Sequence, residues 1–266
     1  MSLMKQRSDQ GNPARILVLP DRVKNKIAAG EVVEGPSSVV KELMENAIDS
    51  GATDITVELS ESGLRKIVVR DNGCGIPRED LPLAVCEHAT SKIRGIEDIE
   101  RIMSCGFRGE ALSSISAISR TTILSRIPSS ETGGKLVVSD GHENLLEYAG
   151  PPGTTVIVEN LFFNVPARKK FLKSPTSEMR SVRQAFLATA SAWPEISFTL
   201  SPDEGRKIHL PAVEGLLQRL EGVYGGGTME KMYHEHVKDI SAAIEGFLSS
   251  PGFMRANRSM QAVYVN

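Results

Sequence analysis

The segment from Pro36 to Gly75 constrains this chain most, because it couples a two-faced helix to a hairpin that ends in a glycine-spaced acidic turn. Pro36 suits a helix entry position, so a helix is predicted to begin near Ser37 or Ser38. Gly51 suits its left-handed close. At about 100° per residue, Val40, Leu43, Met44, Ala47 and Ile48 share one face, with Glu42, Asn46 and Asp49 opposite. Ile55, Val57 and Leu59 then alternate with polar residues, and Ile67 to Val69 form a short apolar run. Glu61-Ser62-Gly63 between them reads as a hairpin connection. An apolar helix stripe beside alternating strands points to a helix packed on one face of a sheet.

The rest of the chain extends this pattern. Asp21 to Val33 reads as a helix after the apolar run Ile16 to Leu19, and residues 1–15 as a disordered arm. Asp71 to Gly109 is long and weakly periodic, and a short helix follows over Glu110 to Ile118. Strands are predicted at Thr121–Ser125, Leu136–Ser139 and Thr154–Glu159. Met179, Val182, Phe186 and Thr189 mark a helix that stops before Trp193-Pro194. Ile196–Leu200 and Lys207–Leu210 read as a hairpin across Asp203-Glu204-Gly205. The expected fold class is α+β, a two-layer sandwich of a mixed, largely antiparallel sheet with helices on one face.

From about Ala212 the pattern resets. Val213 to Tyr224 reads as a helix, Gly225-Gly226-Gly227 as a loop, and Ile240–Leu248 and Met260–Val265 as strands. The expected division is therefore an arm over 1–15, a first domain over 16–211, and the incomplete start of a second α/β domain over 212–266. Ending inside a strand-like run, the chain reads as cut within that second domain.

Composition removes other classes. With 266 residues, such a chain buries roughly three quarters of its unfolded surface and needs no disulfide or metal staple. It holds 31 basic and 33 acidic residues, so bulk charge does not mark a nucleic-acid module, although a local patch remains open. No apolar run reaches membrane-spanning length, so no membrane is expected among its partners. The N-terminal MSLMKQRSDQGNPAR lacks the apolar stretch of a secretory signal. Cys74, Cys86 and Cys105 form no C-x-x-C pair and read as reduced, partly buried packing residues.

Three elements carry candidate chemistry. The face with Glu42, Asn46 and Asp49 either meets solvent, as such faces commonly do, or lines a pocket. In a pocket, Glu42 is placed to deprotonate a water, and the Asn46 side-chain oxygen to ligate a hard cation such as Mg²⁺. Asp71-Asn72-Gly73-Cys74-Gly75 is good turn chemistry. It also sets a carboxylate at a strand end, where it can accept from an exocyclic amine while the glycines admit a flat ring. Gly106-Phe107-Arg108-Gly109-Glu110-Ala111-Leu112 opens a helix, and free N–H groups there suit phosphate oxygens. No G-x-x-x-x-G-K-[ST] loop and no EF-hand spacing occurs.

Taken together, Glu42-x-x-x-Asn46, Asp71-x-Gly73-x-Gly75 and the glycine-bearing segment resemble the ATPase superfamily of gyrase B subunits, heat-shock chaperones, histidine kinases and MutL (the GHKL fold). IAAGEVVE (27–34), VVKELMENAIDSGA (39–52), RDNGCGI (70–76), HATSKI (88–93), GFRGEAL (106–112) and GTTVIVENLFFNVPARKKFL (153–172) narrow the resemblance to the MutL family of DNA mismatch repair proteins. It runs from about Leu19 to the end of the chain.

That resemblance implies an ATP-binding, slowly hydrolysing, Mg²⁺-dependent switch that couples mismatch recognition by a MutS-type sensor to downstream repair. It implies Glu42 as general base, Asn46 as Mg²⁺ ligand, and Asp71 as the reader of the adenine amino group, with Gly75 and Ile76 beside the ring. Thr154 helps bind adenine, Thr90, Ser91 and Lys92 belong to an ATP lid, and Arg108, Gly109, Glu110, Ala111 and Leu112 hold phosphate at its end. Arg168, Lys169, Lys170 and Lys173 form either a solvated face or a contact to the DNA backbone. The family also implies dimerisation with itself or a paralogue, and a cytoplasmic location in bacteria or a nuclear one in eukaryotes.

Two departures stand out. Gly35 sits where the family usually has Arg, and the family's Val-His-Pro-Ala-Lys run, whose lysine reaches the γ-phosphate, is absent. Weak or impaired hydrolysis is expected from the second. The alternatives are a nucleotide-binding scaffold without significant catalysis and a gyrase-like or kinase-like relative. His234 and His236 flank Glu235 and read as a surface cluster; metal binding would need the segment to be a strand and a third ligand nearby.

Overall fold

The computed structural model describes residues 17–18, 20, 29–30, 32–92, 95–99, 104–106, 109–239, 243–254 and 261–264. The arm, most of the helix expected over Asp21 to Val33, and Arg108 lie outside the described residues.

Helix α1 (Pro36–Asp49) begins one residue after Gly35, whose carbonyl accepts the Ser38 and Val39 N–H groups. It ends in a Schellman arrangement: Gly51, at φ +74°, donates to the Ile48 carbonyl, and Ala52 donates to that of Ala47. Val40, Leu43, Met44, Ala47 and Ile48 are buried, as the apolar stripe requires. Gly35 is buried against Glu178, and a β-carbon there would lie 3.3 Å from Glu178 Oε2. The departure from arginine is thus at a packed position.

An eight-stranded sheet forms the other layer, in the order β5-β4-β3-β6-β2-β1-β7-β8. Its strands are β1 (Asp54–Ser60), β2 (Lys66–Asp71), β3 (Arg120–Arg126), β4 (Gly133–Ser139), β5 (His142–Tyr148), β6 (Gly153–Glu159), β7 (Ser197–Pro202) and β8 (Ile208–Leu210). All neighbours run antiparallel except β1 and β7. Alternate residues point into one core: Ile55, Val57, Leu59, Ile67, Val69, Ile123, Leu136, Val156, Val158, Phe198 and Leu200. Helices α1, α2 (Ala111–Ile118) and α3 (Pro175–Ser191) supply the opposing side of that core through Met44, Ile115, Ile118, Val182 and Phe186. Phe186 and Phe198 meet edge to face, with ring centroids 6.2 Å apart. This is the mixed, largely antiparallel α+β sandwich expected from the hairpins.

Several local expectations are corrected. The edge strand β5 and the strand β9 (Met232–Lys238) were not anticipated, and Gly226–Met229 is a helical turn rather than loop. Residues 261–264 are not a strand. The three cysteines are exposed, not partly buried packing groups. His234 does lie on a strand, β9, which pairs with β10 (Ala243–Ser249). It stacks on Phe247 and meets Glu245 Oε1 at 3.0 Å, and no metal-holding group of three ligands exists among the described residues. Helix α4 (Leu216–Tyr224) is anchored by Arg219, 2% exposed, whose guanidinium donates to the carbonyls of Trp193, Pro194 and Ile196 and covers the Phe198 ring. No helix among the described residues is long and apolar enough to cross a membrane.

Candidate nucleotide site

Sheet register brings the candidate site together. Asp71, the last residue of β2, pairs with Thr154 on β6, and Thr154 pairs with Ser125 on β3. Three strand ends from distant parts of the chain therefore lie side by side. Asp71 Oδ1 accepts the Gly73 N–H at 2.9 Å and the Thr154 N–H at 3.2 Å. Burial pushes the Asp71 carboxyl above the usual carboxylate range, and the Gly73, Thr154 and Ser50 hydrogen bonds oppose that shift.

The glycines next to Asp71 are sites of close approach. A β-carbon on Gly73 would lie 1.8 Å from Ser50 Oγ, one on Gly75 2.3 Å from the Arg126 carbonyl, and one on Gly153 2.2 Å from the Asp71 carbonyl. Gly75 and Gly153 also take φ values of +72° and +107°. Asn72 secures the turn: its Oδ1 accepts the N–H groups of Thr53 and Asp54 at 2.8 and 3.0 Å. The Cys74 N–H donates to the Ser50 carbonyl at 3.0 Å, which fastens the turn to the end of α1.

Glu42 and Asn46 are half-buried on the polar face of α1, one turn apart. Lys92 reaches this face and donates to Asn46 Oδ1 at 3.0 Å and to Asp49 Oδ2. The amide oxygen of Asn46 is thus already oriented toward a positive charge. Thr90 Oγ1 accepts the Lys92 N–H at 3.2 Å, and Ser91 is exposed. On the far side of the same segment, a β-carbon on Gly109 would lie 2.5 Å from the Ala89 carbonyl, and His88 Nδ1 lies 3.4 Å from Glu110 Oε1. Glu110 is the N-cap of α2, with Ala111 and Leu112 half-buried in its first turn. Although Cys105 is exposed as a residue, partial loss of solvation, followed by the carboxylates of Asp49 and Glu45, pushes its thiol up to about 11, so at neutral pH it is protonated.

The profile of the "Histidine kinase-, DNA gyrase B-, and HSP90-like ATPase" family matches residues 31–162. DNA mismatch repair protein MutL of Streptococcus sanguinis (strain SK36) is 44% identical over 255 residues, covering 95% of this chain and 39% of that protein. MutL of Streptococcus equi subsp. equi (strain 4047) is 45% identical over 252 residues, 94% of this chain and 38% of that protein. The chain therefore spans about two fifths of the length of these curated relatives. Among solved structures, the Aquifex aeolicus MutL ATPase domain complexed with ADP is 34% identical with a TM-score of 0.60, covering 77% of this chain and 73% of that one. This chain belongs to the MutL family. The N-terminal domain of a DNA repair protein, 25% identical, superposes with a TM-score of 0.71 over 88% of this chain and 74% of its own.

Within the MutL framework, the structure separates two groups of expected residues. Asp71, Gly75, Ile76 and Thr154 cluster at one end of the sheet. Arg168, Lys169, Lys170 and Lys173 fall elsewhere, in and just after the helical turn Pro166–Lys169. Lys169 lines a groove of about 520 Å³ with Arg65, Arg120, Asn160 and Phe163, at the opposite end of the strands that carry Asp71 and Thr154.

Sequence reasoning missed Ser125. It is fully buried, accepts the Ile76 N–H at 2.8 Å, and its hydroxyl lies 2.9 Å from Thr154 Oγ1 and 3.1 Å from the Gly153 carbonyl. The available signal was a polar residue in the inward phase of the Thr121, Ile123, Ser125 alternation. Ser125→Ala strands the Ile76 N–H, so it is expected to cost about 1–2 kcal/mol of stability in a denaturant titration. An unchanged midpoint would show that Ile76 finds another acceptor.

Proposed function

We propose that this chain binds ATP at the Asp71–Thr154–Ser125 strand ends and hydrolyses it, with Mg²⁺, on the polar face of α1. One observation carries the reading: a half-buried carboxylate, held by backbone N–H groups and flanked by glycines too crowded for a side chain, lies beside the end of the helix bearing Glu42 and Asn46. In this reading Asp71 accepts the adenine amino group, Gly75 and Ile76 face the ring, and Thr154 supports it. Thr90, Ser91, Lys92 and the Arg108–Leu112 run contact the phosphates.

Glu42 takes a proton from the water that attacks the γ-phosphorus. The bond from that phosphorus to the β–γ bridging oxygen breaks, and ADP leaves with the bridging oxygen's electron pair. The donor set fits the metal, since an amide oxygen is a hard ligand and that of Asn46 already faces an ammonium. When bound, Mg²⁺ neutralises phosphate charge, and Asn46 is the residue that holds it.

The resemblance to MutL extends the proposal to a slow switch in mismatch repair, working with a MutS-type sensor, the DNA backbone and a second MutL-type subunit. Arg168, Lys169, Lys170 and Lys173 are the proposed DNA contacts. The proposed second domain draws on the separate two-stranded sheet of β9 and β10, while α4, which also follows the proposed boundary near residue 211, packs back on the first domain through Arg219.

The test measures ATP binding and phosphate release on the same sample, with and without Mg²⁺. Mg²⁺-dependent release, lost together with Mg²⁺-dependent affinity in Asn46→Ala, is expected. Binding without release would favour a nucleotide-binding scaffold. Affinity in Asn46→Ala that responds to Mg²⁺ as the parent does would remove the ligand assignment.

A further inference from the structure

Asp49 lies one turn beyond Asn46 on α1, and its side chain is only 8% exposed. Its two oxygens gather donors from two segments far apart in the sequence. Oδ1 accepts the Cys105 N–H at 2.9 Å, and Oδ2 accepts the Gly106 N–H at 3.2 Å. Oδ2 also takes the ammonium of Lys92, which continues to Asn46 Oδ1. The Lys92 side chain is 23% exposed, so this ion pair is shielded from solvent. Gly106 closes the group: a β-carbon there would lie 3.5 Å from Lys92 Nζ and 4.0 Å from Asn46 Oδ1.

Two physical consequences follow. A single carboxylate ties Lys92 and the Cys105–Gly106 backbone to the same helix turn, and charge-assisted hydrogen bonds of this kind are the stronger ones. In addition, the Lys92 ammonium stands against the oxygen that a divalent cation would use. One amide oxygen cannot serve an ammonium and a directly bound Mg²⁺ at full strength, because two cations at adjacent positions repel.

We infer that Asp49 is a positioning residue that clasps Cys105 and Gly106 to α1 and holds Lys92 as a stand-in cation on Asn46, so that Mg²⁺ enters only by displacing Lys92. This inference rests on the proposed role of Asn46 as metal ligand. It adds a competition at that site and assigns the competitor and its holder. Once displaced, the Lys92 ammonium becomes available to phosphate oxygens. Metal entry and phosphate contact by Lys92 are then two halves of one exchange.

The experiment compares the parent chain with Asp49→Asn and Lys92→Met. Amide hydrogen exchange at Cys105 and Gly106 is read without nucleotide, and ADP affinity is read across a Mg²⁺ titration. Asp49→Asn keeps the side-chain shape but removes the charge, so exchange at both amides is expected to quicken about tenfold. In both variants, half-maximal ADP binding is expected at about three- to tenfold lower Mg²⁺. Lys92→Met is expected to shift the Mg²⁺ midpoint while leaving Cys105 and Gly106 exchange near the parent rate. A charge or packing role confined to the helix would not produce that split.

Unchanged exchange in Asp49→Asn overturns the clasp. An unchanged Mg²⁺ midpoint in Lys92→Met overturns the competition. If the parent binds ADP with no dependence on Mg²⁺, the metal role of Asn46 itself fails and the competition falls with it, whereas the exchange measurement, which needs no nucleotide, still decides the clasp.

Discussion

Glu42→Ala is expected to cut ATP turnover by about 10² or more while leaving ATP affinity within a few-fold of the parent. The expectation follows from where the residue sits. Glu42 is half-buried in the second turn of α1, one turn before Asn46, while Val39, Val40, Leu43 and Met44 around it are buried in the core. A carboxylate so placed is held by a rigid element on the same face as the proposed metal ligand, which general-base geometry requires. Its truncation removes a proton acceptor without removing a contact to the base or sugar. Single-turnover phosphate release measured beside equilibrium binding separates the two effects. Parallel losses of binding and turnover would mark Glu42 as a structural carboxylate. So would a loss of helix stability large enough to account for both.

The parts of the fold that could be read from the sequence are those where burial imposes a period. α1 and β1 each bury one face, and Val40 to Ile48 and Ile55 to Leu59 carry that constraint openly. The elements that escaped are those that bury little. β5 is an edge strand, with its residues exposed apart from Leu145 and Tyr148, so no alternation survives in HENLLEY. β9 likewise exposes nearly every residue, and MYHEHVK carries no apolar phase. The expectation of partly buried cysteines failed for a related reason. Thiol burial depends on tertiary neighbours, and Cys74 and Cys105 fall in turns whose backbone N–H groups are tied to α1 while the residues themselves stay exposed.

The candidate site divides in the same way. Turn chemistry points to Asp71 and Gly75 and the family resemblance to Thr154, but their adjacency comes from register: β2 and β6 are more than eighty positions apart in sequence and pair antiparallel. Ser125 is legible only once that register is known, because its value lies in the hydrogen bonds to Ile76 and Thr154. Asp49 stands on the expected polar face, yet its partners Lys92, Cys105 and Gly106 are set by chain folding and leave no local trace. A helical wheel shows which face is polar. It does not show what that face holds.

Asp71→Asn is expected to weaken ATP binding by up to about a hundredfold, since a buried unpaired polar group costs roughly 1–3 kcal/mol. The backbone donors of Gly73 and Thr154 already take an oxygen of this side chain, so the substituted amide keeps its oxygen there and turns its NH₂ toward the position of the adenine amino group. A donor then faces a donor. Guanine places a carbonyl at that ring position, so the loss for ATP should come with a smaller loss, or a gain, for GTP. The parent adds a pH signature. Burial raises the Asp71 carboxyl above its ordinary range, so the folded chain retains a proton that the unfolded chain has released. Asp71 therefore lowers folding stability as pH climbs from the ordinary carboxylate range through its raised value, and the penalty is complete above that value. An adenine amino donor favours the ionised carboxylate. ATP affinity in the parent should accordingly rise across the same window and level off beyond it, whereas Asp71→Asn should show no such rise. Calorimetric titration of ATP and GTP at stepped pH reads both effects, and parent-like ATP affinity in Asp71→Asn would remove the adenine-reading role.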